Sequence, residues 1–185
     1  MTFLILGVIL WISAHFLKRL APNVRHGLGD KGRSVIAIII LLGLALMVIG
    51  YRAADFIPVY QPLPGMGHAN NTLMIVALFL MGAGSTKGIT ASKIRHPMLM
   101  AAIVWSIAHL LVNGDLASLI LFGGIGAWAF TQMLMINRAE GPWQAPAAGP
   151  FKKDMKAVVI ALVLYIVIAF VHVWLGHNPF LGTYG

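Results

Sequence analysis

The sequence predicts an all-α fold, a polytopic transmembrane helical bundle of about six spans that occupies residues 1–185 as one domain. Three observations predict it. Uncharged apolar runs approaching the twenty or so residues that cross a bilayer recur along the whole chain. Only 10% of residues are charged and 59% are apolar, with a mean hydropathy of +0.88. A soluble domain carries about a quarter charged residues, so this chain has too few to cover a water-facing surface. Finally, twelve of the thirteen Lys and Arg residues fall in alternate loops, as topology signals do.

The six stretches run near Thr2–Leu17, Ser34–Tyr51, Thr72–Gly88, Pro97–Val112, Leu116–Ile136 and Ala157–Leu175. The first lacks a basic leader and a small-residue cleavage site before Lys18 and Arg19, so it reads as a retained helix rather than a signal peptide. The first and fourth are short, which implies borrowed interfacial residues or a thinned bilayer. Pro22 with Gly27 and Gly29, then Pro58 to Gly65, then Asn113-Gly114-Asp115, then the Pro/Ala/Gly loop at 141–150 separate them. Small residues in the third stretch (Gly82, Gly84) and the fifth (Gly123, Gly124, Gly126, Ala127) are expected packing seams, where backbones approach closely.

Lys18, Arg19, Arg25, Lys31 and Arg33 follow the first stretch, Lys87, Lys93 and Arg95 the third, and Arg138, Lys152, Lys153 and Lys156 the fifth. Arg52 alone lies on the other side. The bias places both termini outside the cytoplasm. The same scatter of charge argues against a nucleic-acid partner, because no helix or strand gathers the cations on one face. The absence of cysteine excludes disulfide and thiolate chemistry.

Chemistry is scarce. Asp30, Asp55, Asp115, Glu140 and Asp154 fall in loops or at span ends, so no carboxylate pair is available for hydrolysis or proton relay. Seven histidines remain, and His15, His109 and His172 lie within or at the end of apolar runs. An imidazole in hydrocarbon is costly unless paired, which makes each a site candidate. Histidines on several helices without carboxylates suit haem iron better than zinc or di-iron. Structural roles stand beside that reading: His15 fits the interface next to Lys18 and Arg19, His109 a hydrogen bond to a neighbouring helix or to the Asn113–Asp115 turn, and His172 an outward-reaching helix end. His26, His68, His96 and His177 lie in loops or at caps, and His96-Pro97 reads as a helix start. The five tryptophans read mostly as belt or packing residues, although Trp105 lies one turn before His109 on the same face.

The block from Arg95-His96-Pro97-Met98-Leu99 through Trp105-Ser106-Ile107-Ala108-His109-Leu110-Leu111 to Asn113-Gly114-Asp115 resembles the NnrU family. So do His15, Ala21-Pro22, Arg25, Gly50-Tyr51-Arg52, Leu121-Phe122-Gly123, Asp154 and His172-Val173-Trp174-Leu175, which together extend the resemblance over essentially the whole chain. That family comprises bacterial membrane proteins associated with nitrite and nitric oxide respiration. It includes the 15-cis-zeta-carotene isomerases, which carry a membrane haem b. The resemblance implies a multi-pass inner-membrane protein with periplasmic termini, holding haem b through His15 and His109, with His172 as rival ligand. It implies a redox, sensing or maturation component of denitrification, with the lipid bilayer and haem as partners. A carotene-isomerase-like haem enzyme acting on a hydrophobic small molecule is the alternative, and a structural subunit without cofactor is a third. Ser106 stands where the isomerase has a cysteine, so a thiolate-for-imidazole exchange is unavailable. One geometric tension accompanies the ligand pair: His15 falls near the basic end of its helix, while His109 lies about 18 Å above the start of its own, in the same half as His172.

Overall fold

The computed structural model describes residues 1–181. All six apolar stretches form helices: α1 (Thr2–Leu20), α3 (Gly32–Arg52), α4 (Met66–Thr86), α6 (Pro97–Leu110), α7 (Leu116–Glu140) and α8 (Phe151–Trp174). Two short helices, α2 (Pro22–Gly27) and α5 (Ile89–Lys93), complete the connections at one end. Five helices are long and apolar enough to cross a membrane, and α6 is the shorter sixth. Its 14 residues rise about 21 Å, short of a hydrocarbon layer of about 30 Å. The expected shortness of the first helix is not found, because α1 runs on through Lys18 and Arg19 to Leu20.

The bundle is built from two associations. α1 pairs with α3, while α4 lies between α6 and α8, and α6 packs on α7. α7 also meets α1, and Leu4, Val8, Met47, Ala117, Ile125, Trp128 and Ala129 form the core where these helices converge. Lipid already provides an apolar solvent, so packing here depends on close approach rather than on burying large side chains. The tightest seam lies in α1 and α3. A Cβ on Gly7 would sit 2.6 Å from the Met47 amide nitrogen and 2.7 Å from the Gly43 carbonyl, and one on Gly50 would strike the Leu4 backbone. Of the expected seam glycines, Gly84 faces Pro97 and Met98, Gly124 faces Val8 and Gly126 faces Ser106. Gly123 is different: nothing lies within 4 Å of where its Cβ would be, and Ala127 is exposed, so neither belongs to a seam.

The two ends of the bundle are unlike. At the basic end, Glu140 receives Arg19 at 3.1 Å and Arg95 at 3.5 Å. Asp154 lies buried in the first turn of α8, at a span end as expected, accepting from the Ile89 amide at 2.8 Å and the Thr90 amide at 3.3 Å. At the opposite end, residues 57–60 form a strap over the Asn113-Gly114-Asp115 turn. The Leu116 amide donates to Ile57, and the Val59 and Tyr60 amides donate to Gly114. The Tyr60 hydroxyl lies between the Leu110 and Asn113 carbonyls, donating to the latter at 2.8 Å. A Cβ at Gly114 would collide with the Tyr60 carbonyl, so only glycine lets the strap close. Burial, and then the charge of Asp115, raises the Tyr60 phenol above its usual range and keeps it a donor. This strap covers the end of α6 and the turn that leads to α7.

Candidate functional site

α1 and α6 carry the same five-residue arrangement: Trp11-Ile12-Ser13-Ala14-His15 and Trp105-Ser106-Ile107-Ala108-His109. The four-residue spacing puts each tryptophan and histidine on one face, one turn apart. In both, the histidine Nδ1 donates to the tryptophan carbonyl, at 2.7 Å for His15 and 2.9 Å for His109. The rings lie together, with centroids 4.5 Å apart in the first unit and 4.9 Å in the second. A carbonyl only accepts, so Nδ1 carries the proton. In the neutral ring Nε2 then keeps its lone pair, the tautomer that ligates a metal. His172 follows the same rule, with Nδ1 donating to the Ile168 carbonyl at 2.8 Å.

Both units rest on α7. His15 packs edge-on against Trp128 with centroids 4.6 Å apart, and Trp11 meets Trp128 at 5.5 Å. His109 stacks on Phe122 at 4.4 Å, and Trp105 meets the same ring edge-on at 4.9 Å. Phe122 belongs to a π-turn, Leu119–Gly123, an irregularity that re-aims side chains and is frequent at functional sites. Phe122 and Trp128 are six residues apart on one helix, so the two histidines contact it at levels about 9 Å apart. Each ring packs on its own aromatic partners.

Polar surroundings differ between the units. Around His109 the side-chain amide of Asn113 donates to the His109 carbonyl at 2.8 Å, and buried Asn70 donates to the Ala108 carbonyl at 2.7 Å. Of the structural roles open to His109, a bond from the imidazole to the Asn113–Asp115 turn or to a neighbouring helix, neither is made through Nδ1, which donates within α6; the turn is joined instead through Asn113 and the His109 backbone. Tyr51, edge-on to Phe122 at 6.0 Å, donates to Ser118 Oγ at 2.9 Å, and Ser118 Oγ donates to Asp115 Oδ2 at 2.5 Å. Asp115 also caps α7 through the Ser118 amide at 3.0 Å. Beside His15, by contrast, Trp11 Nε1, Trp128 Nε1 and Gln132 Oε1 are buried without a partner, and Ser106 Oγ is in the same state against Gly126.

A family model described as NnrU protein matches residues 3–179. The chain belongs to the NnrU family. No curated relative and no solved structure matches it. For an NnrU protein of this sequence, the resemblance seen in the Trp105–Asp115 block therefore holds over nearly the whole chain, and the block has a physical content. Asn113 ends α6, Gly114 admits the strap, and Asp115 starts α7.

Sequence reasoning marked His15, His109 and His172 but missed their partners. Trp11 and Trp128 stand with His15, yet were read as belt or packing residues. The repeated Trp-x-x-Ala-His spacing was the available signal for Trp11. Nothing local announces Trp128 or the π-turn beneath His109.

Proposed function

We propose that this NnrU-family protein is a membrane haem b protein that serves as a redox, sensing or maturation component of nitrogen-oxide metabolism. The observation that carries the reading is the twin Trp-x-x-Ala-His arrangement, which holds two imidazoles on α1 and α6 in the ligating tautomer. Among the described residues no three His, Cys, Asp or Glu side chains gather to hold a bare metal ion. Paired imidazoles suit iron that brings its own four equatorial nitrogens, as haem does. The orphaned indole N–H groups and Gln132 oxygen beside His15 also fit a site whose polar partners arrive with a bound group. Haem, when bound, supplies one-electron chemistry at iron. The chain's own contribution is to fix the imidazole tautomer, shield the rings with Trp11, Trp105, Phe122 and Trp128, and tune the iron through that apolar shell.

His109 is the first ligand on this reading and His15 the second, with His172 its rival because both it and His109 lie near the same end of the bundle. The visible spectrum of the purified protein tests the proposal. A low-spin haem b spectrum is expected in the wild type, and most Soret absorbance should vanish in His109→Ala. Full haem retention in that variant refutes the assignment of His109. The membrane orientation proposed is an inner-membrane protein with both termini periplasmic. Reporter fusions after Asn137 should read cytoplasmic and fusions after Gly185 periplasmic, and the reverse pattern refutes it.

A further inference from the structure

At the basic end, the turn joining α1 to α3 encloses a cavity of about 380 Å³ lined by Lys18, Pro22, Arg25, His26 and Arg33. Four of its five lining side chains are cationic or can become so, and no carboxylate lines it. The ion pairs elsewhere at this end use Arg19 and Arg95, both held by Glu140. Among the described residues, Lys18, Arg25 and Arg33 form no ion pair. Arg25 is half-buried and laid down rather than waving in solvent: a Cβ on buried Gly32 would strike its Nη1 atom. Cations converging on one concavity repel one another unless an anion joins them, and guanidinium groups match phosphate oxygens in geometry.

The surroundings select the kind of anion. Leu20 and Val24, beside the cavity in sequence, are 69% and 58% exposed, and Ile38 and Leu41 one and two turns further along α3 are 64% and 63% exposed. The charged hollow thus opens next to apolar surface that faces lipid, at the end of the bundle where basic loops meet an anionic leaflet. We propose that this cavity binds the phosphate of an anionic membrane lipid, with Arg25 and Arg33 as the principal ligands, Lys18 beside them, and the acyl chains lying along α3. The site is separate from the histidine units and stands whether or not haem is bound.

The full chain, delipidated in detergent and returned to nanodiscs, tests this with phosphatidylcholine alone or mixed with phosphatidylglycerol as the probe. Native mass spectrometry then counts retained lipid. The wild type should retain phosphatidylglycerol in preference to phosphatidylcholine, and Arg25→Gln/Arg33→Gln should weaken retention about tenfold. Lys152→Gln/Lys153→Gln, which removes equal charge from the same end, should leave it unchanged. Arg33→Gln alone, at an exposed position, gives a smaller loss and guards against misfolding of the double variant. Equal weakening by both double variants overturns the proposal in favour of diffuse surface charge. Displacement of the lipid by millimolar inorganic phosphate identifies a free-phosphate site and overturns the lipid assignment. No preference for phosphatidylglycerol overturns it outright.

Discussion

The His15 and His109 units share a motif, a tautomer and a supporting helix, yet one is finished and the other is not. Around His109 the neighbouring polar groups are satisfied by Asn70, Asn113 and the Tyr51–Ser118–Asp115 chain. Around His15 two indole N–H groups and a glutamine oxygen are buried without partners. Each unsatisfied group costs about 1–3 kcal/mol in an apolar interior. The same local sequence has therefore been placed once in a self-sufficient environment and once in an incomplete one. The lesson is that position on α7, rather than the motif, sets the surroundings: apart from Ser106 Oγ, the polar neighbours of His109 are satisfied within the protein, whereas those beside His15 are not.

The largest effects should come from the histidines themselves. If the His15 side receives the ligand, His15→Ala converts the low-spin spectrum or loses it, while His172→Ala leaves it intact. The opposite result, loss only in His172→Ala, would assign the pair to the outer half of the bundle and reduce the His15 unit to packing. Retention in both and in His109→Ala would take all three histidines out of the ligand set, and a wild type that holds no haem would leave the structural subunit as the surviving reading.

Next in size is the seam that places α1, and with it His15, on α3. Gly50→Ala puts a methyl group into the Leu4 backbone, which cannot retreat as a side-chain tip could. Forcing the helices apart should cost about 1–3 kcal/mol. Thermal unfolding in detergent should show a clear loss for this variant, and for Gly123→Ala almost none, because open space surrounds that position. Equal losses would mean that the α1–α3 contact does not hold the His15 unit in place.

On the finished side, Asp115→Ala removes the α7 cap and leaves the Ser118 hydroxyl, which receives Tyr51, without its acceptor. A lost cap alone costs about 1 kcal/mol. The broken chain should bring the total to about 2 kcal/mol. The expected result is a lowered melting temperature with the His15 indoles unaffected in near-ultraviolet circular dichroism. A change in the indole signal would show that the two units are not independent.

Much of this architecture was legible in the sequence, and the limits have physical causes. Six apolar runs and alternate basic loops indicated six helices because hydrocarbon enforces length and charge placement directly. His15 and His109 stood out because an imidazole in lipid needs a reason. The α1–α3 seam was not legible, since Gly7, Gly43 and Gly50 are scattered among bulky residues and become a stripe only once α1 is laid on α3. Gly123, within an obvious glycine cluster, turned out to face open space because the π-turn shifts the register of that helix by a fraction of a turn. The role of Asp154 at its span end was not legible, because its partners, the Ile89 and Thr90 amides, lie about sixty-five residues away in sequence. Long-range pairing of this kind leaves no local trace.

The smallest effect tests the one orphaned group that lies within the His109 unit itself. Ser106 Oγ is buried, makes no hydrogen bond, and lies where a Cβ on Gly126 would come within 3.0 Å. Removing an unsatisfied hydroxyl deletes a desolvation cost and leaves only a small void, so Ser106→Ala should stabilise the cofactor-free protein by up to about 1 kcal/mol. If a bound group supplies the missing partner, the hydroxyl is no longer orphaned in the loaded protein, and the same substitution should then destabilise it by a similar amount. The measurement is the melting temperature of Ser106→Ala against the wild type, with and without haem. A change of sign between the two states ties the orphaned atoms to the ligand. An upward shift of equal size in both states means that the hydroxyl never meets the bound group. A loss in the cofactor-free protein means that Ser106 already has a partner, such as an internal water, and the α6–α7 contact is complete as it stands.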